Sequence, residues 1–131
     1  MPPTPKPREL WTDDPAEHDF AAAGDYLSLQ YTPADSEALE VELRAAPTSH
    51  TYKAKDVLRA SGLQPLGRKN FHVAADLTKI ADGKKLSPVL LVRDVDRHVL
   101  VIADGFHRVC ASQIVDENAV IPARIVTTPR E

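Results

Sequence analysis

The chain has 131 residues, of which 43% are hydrophobic and 27% charged, with a formal net charge of −3 at pH 7. This length predicts one domain whose core needs no disulfide or metal staple, and no apolar run reaches the roughly 18 residues of a membrane span. The Pro-rich N-terminus lacks the apolar segment of a signal peptide, and the single cysteine, Cys110, excludes an internal disulfide. We therefore expect a cytoplasmic protein with no membrane partner.

Charge is distributed unevenly along the chain. Residues 1–50 carry 3 Lys/Arg and 10 Asp/Glu, whereas residues 51–131 carry 13 and 9. A mildly basic second half suits a phosphate-bearing ligand. Its excess of positive charge is too small to require nucleic acid, because nucleic-acid-binding domains usually have a pI above about 9.

The chain begins with a tail and a first helix. Residues 1–12 are Pro-rich and are expected to form a flexible tail, which Trp11 docks onto the body of the protein. Asp13 or Asp14 followed by Pro15 is typical of a helix start, since an N-cap residue then precedes a proline in the first turn.

A second helix is predicted to follow the first. Thr32 and Pro33 mark its start, and Glu37 is placed for a capping-box contact. Residues 13–50 are therefore expected to form an acidic helical hairpin, which serves either as a structural cap or as an oligomer contact. The second alternative makes a homodimer one of the expected partners.

The second half alternates strands and helices. A strand turning into a short helix is predicted from residue 51 to residue 60, and a second short helix from residue 73 to residue 80. Three apolar runs predict strands, the first two as a hairpin with a longer loop, at residues 89–93, 99–102 and 120–126. Pro122 predicts that the last strand lies at an edge of the sheet.

The central motif runs from Val99 to Ser112. Its apolar residues up to Ile102 predict a buried strand, Gly105 predicts a tight turn, and a helix is predicted from Phe106. The first N–H groups of such a helix point back at the turn, and the helix dipole adds partial positive charge there. The motif therefore predicts an anion site, and phosphate is the commonest anion at such sites.

Each residue of this motif has a functional and a structural interpretation. Gly105 either lets a ligand approach the backbone or makes an ordinary turn. Arg108 either chelates phosphate oxygens or pairs with Asp104 or Asp116. His107 binds phosphate, transfers a proton near neutral pH, or is a hydrogen-bonded turn residue. Asp104 either holds Mg²⁺ or is a simple turn residue.

Other candidate residues lie outside the motif. Ser87, which precedes Pro88, is expected to line the pocket. Cys110 and Ala111 are expected to be core residues. Four lysines are candidate contacts to phosphate or nucleic acid, with solvated surface charge as the alternative for each: Lys53, Lys55, Lys84 and Lys85.

Three stretches of the second half carry a family resemblance. They are Pro88-Val-Leu-Leu-Val, then Ile102-Ala-Asp-Gly-Phe-His-Arg with a later Ala111, and Ile121-Pro-Ala-Arg-Ile-Val. From about residue 53 to residue 126 the chain resembles the ParB/sulfiredoxin superfamily. The resemblance implies a small mixed sheet with packed helices over residues 51–131, so that the expected fold class is α+β, preceded by the helical hairpin.

The sulfiredoxin branch differs at the reactive position. Its motif reads Gly-Gly-Cys-His-Arg, with the Cys carrying the sulfur chemistry and the His and Arg holding ATP phosphates. Phe106 replaces that Cys here, so that sulfinic acid reduction is not expected. His72 falls near the position of an ATP-binding Lys in sulfiredoxins, which makes it a candidate nucleotide contact by resemblance.

The ParB branch implies a nucleotide-handling module. Its motif is similar to Gly-Glu-Arg-Arg-x-x-Ala and binds the phosphates of CTP. Gly105, Arg108 and Ala111 match it, and His107 stands in place of the first Arg. Because few residues follow Val126, the helix-turn-helix DNA reader of full ParB proteins is not expected here.

The main hypothesis is a nucleotide-binding domain that holds a nucleotide triphosphate with Mg²⁺ at the start of the central helix. The phosphate-binding set is Gly105, Phe106, His107, Arg108, Ser87, His72 and Lys53. For an enzyme, the expected reaction is NTP hydrolysis or phosphoryl transfer, with Asp104 and His107 as catalytic residues. The alternatives are a DNA-associated ParB-like nuclease or partition protein, and a non-enzymatic regulator with a vestigial pocket.

Overall fold

The computed structural model describes residues 10–129. This part of the chain forms α1 (Glu17–Leu27), α2 (Pro33–Ala45), β1 (Ser49–Lys53), α3 (Ala54–Ser61), α4 (Phe71–Ala81), β2 (Val89–Asp94), β3 (Val99–Asp104), α5 (Phe106–Val115) and β4 (Val120–Thr127). The strands make one sheet in the order β1-β4-β2-β3. Only β2 and β4 pair in parallel, so the sheet is mixed and the predicted α+β fold is confirmed.

Helices cover both faces of the sheet. The α1–α2 hairpin packs on one face around Leu27 and Leu43, and α3, α4 and α5 pack on the other. Strand β2 is buried on both sides, with Leu91 in one core and Leu90 in the other. A doubly covered strand needs apolar residues at every position, which explains the continuous run read from the sequence.

The first helix begins later than predicted. Ala16, and not Asp13 or Asp14, is the N-cap residue of α1. The reason lies in Asp19, whose carboxylate accepts a hydrogen bond from the Ala16 backbone N–H at 2.9 Å. An acid at the third helical position thereby satisfies an amide that the start of a helix leaves unpaired.

The second helix begins where predicted, although its cap differs. The Thr32 hydroxyl accepts a hydrogen bond from the Asp35 backbone N–H at 3.1 Å. Because Pro33 is the first helical residue, Asp35 occupies the third position, and Glu37 lies too far along the helix to close a capping box.

The prediction that Pro122 marks an edge strand is wrong. Strand β4 lies inside the sheet, between β1 and β2. The register between β1 and β4 shifts between Ser49 and Tyr52, opposite the stretch that contains Pro122. An irregularity of this kind accommodates a residue without an N–H donor, so proline is tolerated away from an edge.

The start of the described chain lies against the residues that precede β2. Trp11 is 3% exposed, Leu86 donates its N–H to the carbonyl of Leu10 at 2.8 Å, and Thr12 donates to the carbonyl of Leu86 at 2.7 Å. The predicted docking of Trp11 is thus confirmed. Residues 1–9 of the predicted tail lie outside the described residues.

A buried carboxylate fixes the hairpin to the sheet. Asp94, at the end of β2, accepts hydrogen bonds from the Tyr31 hydroxyl and from the Arg97 Nε, both at 2.7 Å. Burial works against its charge, but these donors and the Arg97 backbone N–H outweigh burial and lower the pKa of Asp94 to about 2. These contacts tie the connection between α1 and α2 to the end of β2.

Candidate functional site

A polar cavity of about 390 Å³ lies in front of Gly105. Its walls come from the start of α1, one face of α4, the residues before β2, the end of β3 and the start of α5. The lining residues are His18, Asp19, His72, Ala75, Asp76, Lys79, Lys85, Leu86, Ser87, Asp104, Gly105, His107 and Arg108.

The fold brings these residues together through two contacts. Asp104, at the end of β3, pairs with Leu90 across the sheet, which places it beside the residues that lead into β2. Helix α4 packs against α5 and presents His72, Asp76 and Lys79 at spacings of four and three residues. Such residues lie on one face of a helix, so all three reach the cavity.

Gly105 adopts the backbone conformation for which a glycine is needed at this turn. Its φ is +103°, a backbone conformation that residues with a side chain rarely adopt. A Cβ atom there would lie 2.5 Å from Val89 Cγ1 and 2.9 Å from Arg108 Nη2. The close approach is therefore made by two side chains of the protein itself.

The first turn of α5 has no side-chain cap. Gly105 is the N-cap residue, and it carries no side chain that accepts hydrogen bonds from the amides that follow it. The N–H groups of Phe106, His107 and Arg108 have no partner within the helix, as at the start of any α-helix. Unpaired N–H groups at the start of a helix can donate to an anion, and the helix dipole favours negative charge there. Of these three residues, His107 and Arg108 line the cavity.

Arg108 is held by the protein. Its Nη2 donates to Asp104 Oδ2 at 2.8 Å and to the carbonyl of Pro88 at 3.2 Å. Its Nη1 lies 3.9 Å from Asp19 Oδ1, and the buried Nε finds no acceptor within residues 10–129. Of the two interpretations of Arg108, the structure shows the ion pair with Asp104, next to a cavity that Arg108 also lines.

Two acids share this one guanidinium. Burial raises the pKa of Asp104, against the opposing effect of Arg108, and the neighbouring Asp19 raises it further. Asp19 itself is 2% exposed. Two carboxylates and one guanidinium thus lie together at this wall of the cavity.

Two imidazoles face each other at the cavity. The rings of His72 and His107 have their centroids 4.7 Å apart. Burial lowers the pKa of His107, and the adjacent His72 contributes to the same effect. The His107 ring is therefore neutral near pH 7 and able to accept a proton, which is the property required of a general base.

Two predicted site residues lie away from the cavity. Lys53 is an exposed residue of β1 opposite Val120, at the far edge of the sheet from β3. Strand order, which the sequence does not reveal, thus places Lys53 away from the cavity in which it was predicted to contact phosphate. The Phe106 side chain packs against the core formed with α3, α4 and α5, and Phe106 does not line the cavity.

Four polar lining residues were not predicted from the sequence. Asp76 and Lys79 lie at helical spacing from His72, so the sequence does carry a local signal for these two. His18 and Asp19 come from the N-terminal hairpin, far away in the sequence. No local pattern could have placed these two beside Gly105.

The expected role of Asp104 as a Mg²⁺ ligand does not fit its contacts. The carboxylate pairs with Arg108, and burial raises its pKa, which disfavours the charged form that a cation needs. In the described part of the chain, no three or more His, Cys, Asp or Glu side chains are grouped to hold a metal ion.

A larger cavity of about 540 Å³ lies at the other end of the strands. Its lining is mainly apolar and includes Val57, Leu91, Leu100 and Ile125. None of the residues predicted from the sequence to act in a site lies in it. The polar cavity at Gly105 is therefore the candidate functional site.

The chain shows no match to protein-family models, to curated proteins or to solved structures. The resemblance to the ParB/sulfiredoxin superfamily thus stays a prediction based on the motif residues. Among residues 10–129, no helix combines the length and the apolar character needed to cross a membrane.

Proposed function

We propose that the chain binds the phosphate groups of a nucleotide in the polar cavity. The observation that carries this proposal is the uncapped first turn of α5, which borders a 390 Å³ cavity lined also by Lys79, Lys85 and Arg108. Backbone amides and cationic side chains are the donors that phosphate oxygens require. The cavity volume is within the range of small-molecule sites.

Each lining group has a role in this proposal. The N–H groups of the first turn of α5 donate to phosphate oxygens, and the Ser87 hydroxyl offers a further donor. Lys85 supplies a charge that no carboxylate of the described residues neutralises, whereas Lys79 lies 3.9 Å from Asp76. Arg108 contributes positive charge from a position fixed by Asp104.

Hydrolysis of the terminal phosphate remains the predicted reaction for an enzyme. His107 is suited to accept the proton of the attacking water, because its lowered pKa keeps it neutral near pH 7. Asp104 holds Arg108 and is better suited to positioning than to proton transfer. A Mg²⁺ ion in this proposal arrives with the nucleotide and needs no ligand set of the protein.

The alternative of a DNA-associated protein is less well supported by the geometry. The acidic hairpin contributes His18 and Asp19 to the wall of the cavity, so that its negative charge lies beside the site. A long polyanion would meet this charge, whereas a single nucleotide needs only the cavity.

Replacing Lys85 by alanine is expected to weaken the binding of inorganic triphosphate about tenfold, because the change removes one charge-assisted contact. Isothermal titration calorimetry at pH 7 and low salt measures the effect. Lys84→Ala is the matched control: Lys84 is the adjacent, exposed lysine and does not line the cavity. The control is expected to change the affinity by less than about twofold.

Equal losses in the two lysine variants would contradict the proposal, since they would indicate nonspecific surface attraction. Absence of any binding or thermal stabilisation by phosphate compounds in the unaltered protein would favour the regulator with a vestigial pocket. A ligand of the folded state must raise its stability, so such a result is decisive.

A further inference from the structure

The most exposed Phe, Tyr or Trp side chain of the described residues lies beside the polar cavity. Phe71 is 79% exposed at the first position of α4. Its ring meets that of His72 in a T-shaped arrangement with centroids 5.5 Å apart, and His72 contacts His107 at 4.7 Å. An aromatic surface thus continues from the interior of the cavity to the solvent.

The backbone at Phe71 is anchored by its neighbours. The Asn70 side chain caps α4 by accepting hydrogen bonds from the N–H groups of His72 and Val73, at 3.0 and 3.1 Å. Val73 is fully buried in the core. The capped and anchored helix therefore fixes the point from which the Phe71 ring projects, and the ring itself is left uncovered.

Charge around this ring suits an anionic ligand. Arg68 and Lys69 immediately precede the cap and are exposed. Two basic residues thus precede two aromatic rings, Phe71 and His72, and proteins hold a base and its phosphates with cationic and aromatic side chains of this kind.

We propose that Phe71 is the stacking platform for the base of the nucleotide whose phosphates occupy the polar cavity. This inference rests on the proposed function and names the part of the ligand that the cavity leaves outside. The lining of the cavity is polar and offers no apolar slot for a base. Two ring-to-ring steps, of 5.5 and 4.7 Å, lead from Phe71 to His107, a span that one nucleotide bridges from base to phosphates.

A single nucleotide is favoured over a nucleic-acid strand. Hairpin residues His18 and Asp19 close the cavity on one side, and residues 1–50, which include the hairpin, carry an excess of acidic groups. Stacking on a phenylalanine face accepts every base, because each has a π-face. We therefore expect similar affinities for ATP, GTP and CTP.

Calorimetry with ATP, CTP and inorganic triphosphate tests this inference on the full chain. Phe71→Ala is expected to weaken the binding of both nucleotides about tenfold and to leave the affinity for triphosphate unchanged. Phe71→Trp is expected to retain nucleotide binding. Leu29→Ala, which truncates another exposed side chain, is the control and is expected to leave the affinities for all three ligands unchanged.

The outcomes separate the two proposals. If triphosphate binds as tightly as the nucleotides, or if Phe71→Ala does not change the affinity for nucleotides, the stacking platform is overturned and the phosphate site is left intact. No binding of triphosphate or nucleotide overturns both. Tighter binding of a single-stranded oligonucleotide than of ATP, with the same loss in Phe71→Ala, overturns the assignment to a single nucleotide.

Discussion

Replacing Arg108 by alanine is expected to lower the free energy of unfolding by about 3 kcal/mol at pH 7, because removing one partner of a buried ion pair leaves the other without compensation. Arg108 and Asp104 have side chains only 16% and 17% exposed, and Nη2 also donates to the carbonyl of Pro88. Urea denaturation followed by circular dichroism measures the loss.

A double-mutant cycle provides the control for this prediction. Asp104→Ala combined with Arg108→Ala is expected to cost less than the sum of the two single changes, since the two groups interact directly. Arg93→Ala removes an exposed arginine whose Nη1 donates to Thr127 Oγ1, and it is expected to cost less than about 1 kcal/mol. A cost for Arg108→Ala as small as that of Arg93→Ala would contradict the role assigned to the ion pair.

The observed ion pair changes what is expected of an Arg108 variant. A phosphate-chelating Arg108 predicts that its replacement abolishes nucleotide binding and leaves the fold intact. The observed pairing with Asp104 predicts a loss of stability as well. Binding measurements on Lys85→Ala therefore report on the cavity more cleanly than those on Arg108→Ala.

The second large effect is expected at Gly105. Alanine there is expected to destabilise the fold by about 3 kcal/mol, through two separate causes. A left-handed backbone costs a residue with a side chain roughly 1–2 kcal/mol. Overpacking against Val89 and Arg108 adds roughly 1–3 kcal/mol, since the new Cβ would lie 2.5 Å from Val89 Cγ1.

Two other glycines separate these causes. Gly83 has a φ of +74° with no atom near its missing Cβ, so that Gly83→Ala is expected to show the backbone cost alone. Gly67 has neither a positive φ nor a close neighbour, and Gly67→Ala is expected to be neutral or slightly stabilising. In thermal denaturation, Gly105→Ala is expected to have the lowest melting temperature of the three variants by a clear margin. A Gly105→Ala protein as stable as Gly83→Ala would show that close packing at the turn does not matter.

The elements of the second half were predictable because each has a local cause. The apolar runs of β2 and β3, the glycine turn between β3 and α5, and the helical spacing of α5 all lie within a few residues. Strand order has no such local signal. The interior position of β4, despite Pro122, depends on an irregularity in a partner strand some seventy residues earlier in the chain.

The site was predictable to the same extent. The turn from Asp104 to Arg108 is contiguous, and its glycine, histidine and arginine all line the cavity. What the sequence could not reveal is which partner each side chain takes. Asp19 joins Arg108 only because the hairpin is fixed across the sheet, and Lys53 is absent from the cavity because β1 lies at the opposite edge.

The most direct test of the phosphate site is a titration of the uniformly ¹⁵N-labelled chain with inorganic triphosphate, followed by amide chemical shifts. Binding at the uncapped turn predicts the largest shift changes at the backbone N–H groups of Phe106, His107 and Arg108, with saturation as the ligand is added. Unmoved amides at these three positions, with changes elsewhere or none at all, would contradict a phosphate site at the start of α5.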